Sequence, residues 1–149
     1  MKMKKLAALL CALMLCLSGL SVQAEGGISA EGEGNMKMTI GETPVTVAWE
    51  DNASVAALAA LAVEGLTIEM SMYGGFEQVG AIGQNLPRSD AQTTTASGDI
   101  VLYSGDQLVM FYGSNSWAYT RLGHIIDQTP AQMKELLGNG DVTVTLSMK

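Results

Sequence analysis

The sequence predicts a mainly β protein: a closed eight-stranded β-barrel capped at its ends by two short α-helices. Three observations support this fold class. Apolar and polar residues alternate with period two through much of residues 36–149, the turns between these stretches are short and contain glycine, and only two short segments carry helix signals. A small closed barrel leaves no sheet edge unpaired. An open two-layer sandwich is the alternative architecture.

The first two predicted strands form a hairpin. Large apolar residues occupy alternate positions at residues 36–40 and again at 45–49, with mainly threonine and other small or polar residues between them. Gly41 and Glu42 separate the two stretches and supply the turn. The methionine and valine side chains are therefore expected on the core face, with threonine pointing outward.

A short helix is predicted over Ala53–Val63. Residues 51–54 offer side chains that cap its first turn, the alanine-rich segment has high helix propensity, and Gly65 suits a left-handed stop. Its apolar stripe is narrow, which suits a helix that plugs one end of a barrel, and consists of Val55, Leu58 and Ala62.

The middle of the chain holds one clear strand and one long segment without pattern. Residues 66–72 alternate again, glycines follow, and residues 76–79 suit a short strand. Residues 81–97 are polar and form the longest stretch without a predicted element. Ordered segments of this length in compact domains often carry function.

Two continuous apolar runs, Asp99–Tyr103 and Leu108–Tyr112, predict a central hairpin. The residues between them, Ser104–Gln107, form a turn signal. Strands without polar alternation are expected to be buried on both faces. A further strand is predicted over Trp117–His124.

The C-terminal segment predicts a second helix and a last strand. Thr129 is an N-cap, a proline follows it at the first helical position, and Gln132 completes a capping box. The helix therefore spans Pro130–Leu137, and Gly138 ends it. Residues 142–148 then alternate as a closing strand.

The N-terminus has the order of a secretory signal. Three lysines lie within residues 1–5, twelve apolar residues span Leu6–Leu17, and a polar segment ends at Ala24. We expect cleavage after Ala24, a flexible acidic and glycine-rich spacer over residues 25–34, and one folded domain over residues 35–149. The protein is then secreted or periplasmic, with no membrane contact once the signal is removed.

Composition excludes several classes of function. The formal net charge is −7, and three of the eight cations lie in the predicted signal, so nucleic acid is not an expected partner. Both cysteines also lie in the signal, and the chain has a single histidine. We therefore expect no disulfide, thiol nucleophile, metal or cofactor. Methionines at strand spacing are explained by packing.

Several segments resemble the cyclophilin fold. The first hairpin and helix, and the closing order of strand, helix and strand, are similar to those of cyclophilins. Residues 70–76, 86–90, 98–103 and 111–117 resemble small bacterial cyclophilin-like domains of uncharacterised function. The resemblance covers nearly all of residues 35–149 and implies a cyclophilin-like barrel. Similar domains are also joined to flavodoxin-like domains. This resemblance implies one weaker hypothesis, an accessory role to a redox partner.

The arginine stretch of true cyclophilins has no counterpart in this chain, and Tyr119 stands where that family has a histidine. Isomerase chemistry needs an arginine beside an apolar proline pocket, because the donor lowers the barrier to peptide rotation. The chain has two arginines, so Arg121 is the first candidate catalytic residue and Arg88 the second. A structural role explains both better: Arg121 as an outward strand residue paired with a carboxylate, and Arg88 as a residue that holds its own loop through Asp90.

Aromatic side chains suggest a ligand groove. Trp117, Tyr119 and Tyr103 alternate in a way that suits one concave surface, although ordinary core packing explains such residues too. His124 is alternatively a structural histidine or, with Asp99 or Asp127 and a serine, part of a hydrolytic triad that lacks the usual nucleophile motif. The predicted groove consists of Tyr73, Phe111, Tyr112, Trp117, Tyr119 and His124.

Besides the accessory role, these observations lead to two main functional hypotheses. The first is an exported, non-catalytic module that binds a peptide, a protein or a small ligand in an aromatic groove. The second is a peptidyl-prolyl isomerase whose catalytic arginine has moved. The sequence leaves the oligomeric state open.

Overall fold

A computed structural model describes residues 36–149 of the chain. The predicted signal over residues 1–24 and the predicted spacer over 25–34 lie outside the described residues. Residue 35, where the folded domain was predicted to begin, also lies outside them. No helix within 36–149 has the length and apolar character needed to cross a bilayer.

The described residues are mainly β, as the period-two patterning predicts, and they also contain the two predicted helices. They form eleven short strands rather than the eight predicted. The strands are β1 (Lys37–Ile40), β2 (Thr43–Val45), β3 (Val47–Trp49), β4 (Leu66–Glu69), β5 (Ser71–Tyr73), β6 (Glu77–Ala81), β7 (Ala91–Thr94), β8 (Asp99–Tyr103), β9 (Gln107–Phe111), β10 (Ser116–Ile125) and β11 (Thr143–Ser147). The helices are α1 (Ala53–Ala62) and α2 (Pro130–Leu137).

The strands form two antiparallel sheets. The four-stranded sheet has the order β2-β1-β11-β4. The seven-stranded sheet has the order β3-β10-β8-β9-β6-β5, and β7 pairs with the first half of β10. The segment 81–97, for which no element was predicted, therefore contributes one strand to the larger sheet.

The prediction of a closed eight-stranded barrel is wrong, because neither sheet closes on itself. The edge strands β2 and β4 of the smaller sheet continue into β3 and β5 of the larger one, changing sheets at Thr46 and Met70. A chain that bends from one sheet into another pairs with different neighbours before and after the bend, so the hydrogen-bond ladder is interrupted there. Two linked sheets result instead of a continuous cylinder.

The main core lies between the two sheets and the helices. Met38, Ile68 and Leu146 of the smaller sheet meet Ile100 and Met110 of the larger one, and all five are almost fully buried. Both helices contribute to this core. Their buried apolar residues are Val55, Leu58 and Ala62 from α1, and Met133 and Leu137 from α2.

Both helices begin at the predicted caps. The Asn52 side chain accepts a hydrogen bond from the Val55 backbone N–H at 2.8 Å. Thr129 and Gln132 form the reciprocal capping box before α2, each side chain accepting from the other residue's backbone N–H. Because these caps satisfy backbone donors that would otherwise lack partners, they fix where the helices start.

The central hairpin is buried on both faces, as its continuous apolar runs predict. Ile100, Leu102 and Met110 point into the main core, whereas Val101 and Val109 join a second apolar cluster on the opposite face of the sheet. Phe111 and Tyr119 complete the buried part of this second cluster. The larger sheet therefore carries apolar packing on each side, and its second face holds the candidate site.

Candidate functional site

A cleft of about 410 Å³ opens on the second face of the larger sheet. Its lining combines aromatic, aliphatic and polar side chains from five strands and the loop before β10. The lining residues are Tyr73, Glu77, Val79, Tyr103, Val109, Asn115, Trp117 and Tyr119. A concave, mainly apolar cavity of this size with a few polar groups is typical of a small-ligand site.

Strand register brings the cleft residues together. Tyr73 and Glu77 face each other across the β5–β6 hairpin, and Val79 faces Val109 across the β6–β9 pair. Between Glu77 and Val79, the buried Gln78 points to the other side, where its amide donates to carbonyls at the end of α2. Because side chains alternate along a strand, Glu77 and Val79 both point into the cleft.

The walls and the floor of the cleft are aromatic. Tyr73, Tyr103 and Trp117 are 66%, 40% and 56% exposed, which is high for side chains of this size. Beneath them, Tyr119 is buried, and its ring packs edge to face on Tyr103 at 6.2 Å and on Phe111 at 5.7 Å between centroids. The floor is therefore tightly packed, whereas the walls present free ring surface.

Glu77 places a carboxyl group at the base of this aromatic cleft. The residue is only 6% exposed, and its Oε2 atom has no hydrogen-bond partner. Burial raises its pKa from an ordinary value of 4.5 to about 7, because an apolar environment disfavours the charged form. Residues with perturbed pKa values that lie in clefts are concentrated at functional sites.

We expect Glu77→Gln to be more stable than the parent protein above neutral pH, with a smaller difference in acid. The folded state binds more protons than the unfolded state between pH 4.5 and about 7, so the penalty from Glu77 grows as pH rises through that range. Glutamine has no charge to desolvate. Urea unfolding of both proteins at pH ~4, ~6 and ~8 measures the difference, and a constant difference would contradict the raised pKa.

Tyr119 connects the floor of the cleft to the loop before β10. Its hydroxyl accepts a hydrogen bond from the Asn115 amide at 2.8 Å. Burial raises the pKa of Tyr119, the hydrogen bond from Asn115 opposes this, and the nearby Glu77 charge raises it further. The phenol therefore stays protonated and serves as a fixed polar contact at the edge of the cleft.

The two predicted catalytic arginines do not line the cleft. The Arg88 guanidinium pairs with Asp90 at 3.2 Å. The Arg121 guanidinium pairs with the buried Asp99 at 3.2 Å and donates to the Thr94 carbonyl at 3.4 Å. Each arginine therefore forms an ion pair with a neighbouring carboxylate, which is the arrangement that their structural interpretation expects.

The predicted groove residues divide between the cleft and other places. Tyr73, Trp117 and Tyr119 line the cleft, and Phe111 supports it from below. Tyr112 packs on the main core instead. His124 lies beside Asp99, with Nδ1 2.7 Å from its Oδ1, and within residues 36–149 no hydroxyl hydrogen-bonds its other ring nitrogen.

Four residues that line the cleft were not predicted as site residues from the sequence: Glu77, Val79, Val109 and Asn115. For Glu77 the only local signal is the glycine turn at Gly74 and Gly75, which allows a hairpin with Glu77 opposite Tyr73 but does not show that Glu77 is buried. The alternating pattern alone predicts that a charged residue in a strand faces solvent, so it does not single out Glu77. In the part of the chain that the structure describes, no three histidine, cysteine or acidic residues are gathered as metal ligands.

Two comparisons with known proteins found matches to this chain. The sequence model of the Cyclophilin-like family matches residues 38–147. Among solved structures, the chain is similar to the solution structure of the hypothetical protein AF2241 from Archaeoglobus fulgidus. The TM-score is 0.52 at 14% sequence identity, over 76% of this chain and 93% of that chain. At this identity the likeness concerns the fold alone. No curated protein sequence matches the chain.

Proposed function

The chain belongs to the Cyclophilin-like family, and within that family we propose that it is a non-catalytic module that binds a small organic group in its aromatic cleft. The observation that carries the proposal is the set of three exposed rings, Tyr73, Tyr103 and Trp117, around a packed floor. Rigid aromatic side chains of this kind supply contact area at low entropic cost.

The size of the cleft limits the ligand. A volume of about 410 Å³ lies near the lower end of the range for small-molecule sites. It suits one side chain of a peptide or a small free molecule, rather than a long extended segment. We therefore propose that a protein or peptide partner, if one is bound, inserts a single side chain.

The chemistry of the lining favours binding over catalysis. Among the described residues of the cleft there is one carboxyl group, and there is no histidine, serine, lysine or arginine. A glycosidase would need a second carboxyl group, and acyl transfer would need a nucleophile with a base. The isomerase alternative requires Arg121 or Arg88 to leave its ion pair, which gives it less support.

Export is part of the same proposal. We propose that residues 1–24 form a signal removed after Ala24, and that residues 25–34 link the processing site to the folded domain. The protein would then meet its ligand outside the cytoplasm. Mass determination of the N-terminus of the exported protein tests this directly, and an intact N-terminal methionine would contradict it.

Trp117 provides the test of binding. In a Trp49→Phe background, Trp117 is the single tryptophan, and we expect its fluorescence to respond saturably to at least one member of a panel of N-acetyl amino-acid methylamides. Trp117→Ala, followed by calorimetry, should weaken that binding about tenfold or more, because exposed aromatic anchors dominate such sites. Ile126→Ala removes another exposed apolar side chain, away from the cleft lining, and should change nothing.

Two outcomes would contradict the proposal. Saturable binding by no member of the panel, and by no free alkylamine or alcohol of similar size, would remove the cleft as a ligand site. Acceleration of prolyl isomerisation in a proline peptide, lost in Arg121→Ala or Arg88→Ala, would replace the binding module by the isomerase. We expect equal isomerisation rates with and without the protein.

A further inference from the structure

Glu77 is a buried carboxyl group in a mainly apolar cleft, and its Oε2 atom has no hydrogen-bond partner among the described residues. Its side chain is more than nine-tenths buried, Oε2 lacks a hydrogen-bond donor, and Val79, Val109 and aromatic rings surround it. A buried polar group without a partner costs free energy, and a buried charge costs more. A buried polar group without a protein partner is usually satisfied by something else, such as an ordered water, an ion or a ligand.

Residues 36–149 supply no cation for this carboxyl group. Among the described residues that line the cleft, none is lysine or arginine. Arg88 and Arg121 are engaged with Asp90 and Asp99. The site therefore presents a negative group and leaves its positive partner to come from outside.

The aromatic walls favour the same kind of partner. The faces of tryptophan and tyrosine rings attract cations, and the attraction strengthens when the cation is removed from water. Trp117, Tyr73 and Tyr103 surround the mouth of the cleft through which a ligand would reach Glu77. An anion would be repelled by the carboxylate, and a purely apolar ligand would leave it without a partner.

We propose that the cleft recognises a protonated primary amine, whose N–H groups donate to the Glu77 carboxylate while its carbon chain lies against the rings of Trp117, Tyr73 and Tyr103. This inference rests on the proposed binding function and specifies its ligand class. Rotation about the terminal bond of Glu77 brings either oxygen toward the ligand, and the ammonium group supplies a charge-assisted hydrogen bond to a carboxyl group that receives none at Oε2 from the described residues. The amine belongs either to a lysine side chain or to a free alkylamine.

The protonation of Glu77 gives the site a pH signature. Because burial raises the pKa of Glu77 to about 7, the carboxyl group is mostly protonated below neutral pH, and it must be ionised to hold an ammonium group. Affinity should therefore fall about tenfold for each pH unit below that value. The other titratable side chains lining the cleft are Tyr73, Tyr103 and Tyr119.

Three probes of equal chain length separate charge from hydrogen bonding. n-Pentylammonium carries both a charge and N–H donors, 1-pentanol has a donor without charge, and pentyltrimethylammonium has a charge without donors. Calorimetric titration of the mature protein at pH ~8 should rank n-pentylammonium first, at least about tenfold tighter than 1-pentanol. N-acetyl-lysine methylamide, added as a fourth probe, distinguishes a lysine side chain from a free amine; binding of n-pentylammonium with or without it supports the proposal.

Glu77→Gln removes the charge and keeps the shape. We expect n-pentylammonium affinity to fall about tenfold or more and its pH dependence to disappear, while 1-pentanol binding stays unchanged. The variant is expected to be at least as stable as the parent, so loss of binding would not reflect unfolding. Glu64→Gln, at an exposed carboxyl group outside the cleft, is the matched control and should behave as the parent.

The outcomes separate this inference from the function on which it rests. Equal binding of 1-pentanol and n-pentylammonium, or n-pentylammonium affinity unchanged by Glu77→Gln, overturns the amine site. Equal or tighter binding of pentyltrimethylammonium also overturns it, because N–H donation would then contribute nothing. In these cases binding that is still weakened by Trp117→Ala leaves the aromatic binding module intact. Binding by none of the four probes overturns the amine site, and failure of these probes together with the whole methylamide panel removes the binding module too.

Discussion

Phe111→Ala is expected to lower the free energy of unfolding by ~3–5 kcal/mol, the range for removing a fully buried phenylalanine. Phe111 has no exposed surface, and it belongs to the apolar cluster beneath the cleft. Its ring packs edge to face on Tyr119 at 5.7 Å, so truncation leaves a cavity and removes an aromatic contact. Urea unfolding monitored by circular dichroism measures the loss.

The same substitution should also disturb the cleft. Without Phe111 the floor residue Tyr119 loses its support, so the ligand identified for the parent protein should bind more weakly at a temperature where the variant is folded. Phe111→Leu, which keeps most of the volume, is the control and should cost less than half as much. A loss below ~1 kcal/mol for the alanine variant would show that this cluster is not a packed core.

Gly80→Ala is expected to destabilise the protein by ~3 kcal/mol, at the upper end of the usual cost of overpacking. Gly80 lies on β6 where β4 crosses it. A Cβ atom there would lie 2.6 Å from the Glu69 carbonyl oxygen, 2.5 Å from the Met70 sulfur and 2.7 Å from a methyl carbon of Ile68. The Met70 side chain can move, but the Glu69 backbone belongs to a paired strand, so the sheets must separate locally.

Gly65→Ala is the matched control for Gly80→Ala. Gly65 follows α1 with a φ of +87°, and a Cβ atom added there would meet nothing within 4 Å beyond its chain neighbours, so the penalty at this position is conformational. That penalty is about 1 kcal/mol. Urea unfolding of both variants compares crowding with backbone strain. Equal losses would show that the crossing at Gly80 has room for a methyl group.

The helices and the central hairpin could be predicted from the sequence because their signals are local. Asn52 and Thr129 cap helices through residues three positions further along the chain. The continuous apolar runs around Val101 and Val109 require burial on both faces, whatever the surrounding topology. Such signals do not depend on which strands are neighbours.

Closure of the sheet could not be predicted in the same way. A strand that bends at Thr46 or Met70 into a second sheet keeps its alternating pattern, so the sequence reads the same for a cylinder and for two linked sheets. The difference lies in hydrogen-bond pairing between residues far apart in the chain. No single segment carries that information.

The candidate site was predictable in part for a related reason. Trp117, Tyr119 and Tyr73 stand out by residue type, and they lie in the cleft. Glu77 does not stand out, because a glutamate in a strand is normally solvent-exposed. Its burial arises only when β5, β9 and β10 bring their side chains around it, which depends on tertiary packing.

The strands that change sheets also affect how the molecule comes apart. Since β2 runs into β3 and β4 into β5, each side of the smaller sheet is covalently continuous with an edge of the larger one. Separation of the smaller sheet would pull on β3 and β5, so we expect the two sheets to open together on heating. We therefore expect order in the cleft to depend also on the smaller sheet, which lies on the opposite face of the larger one.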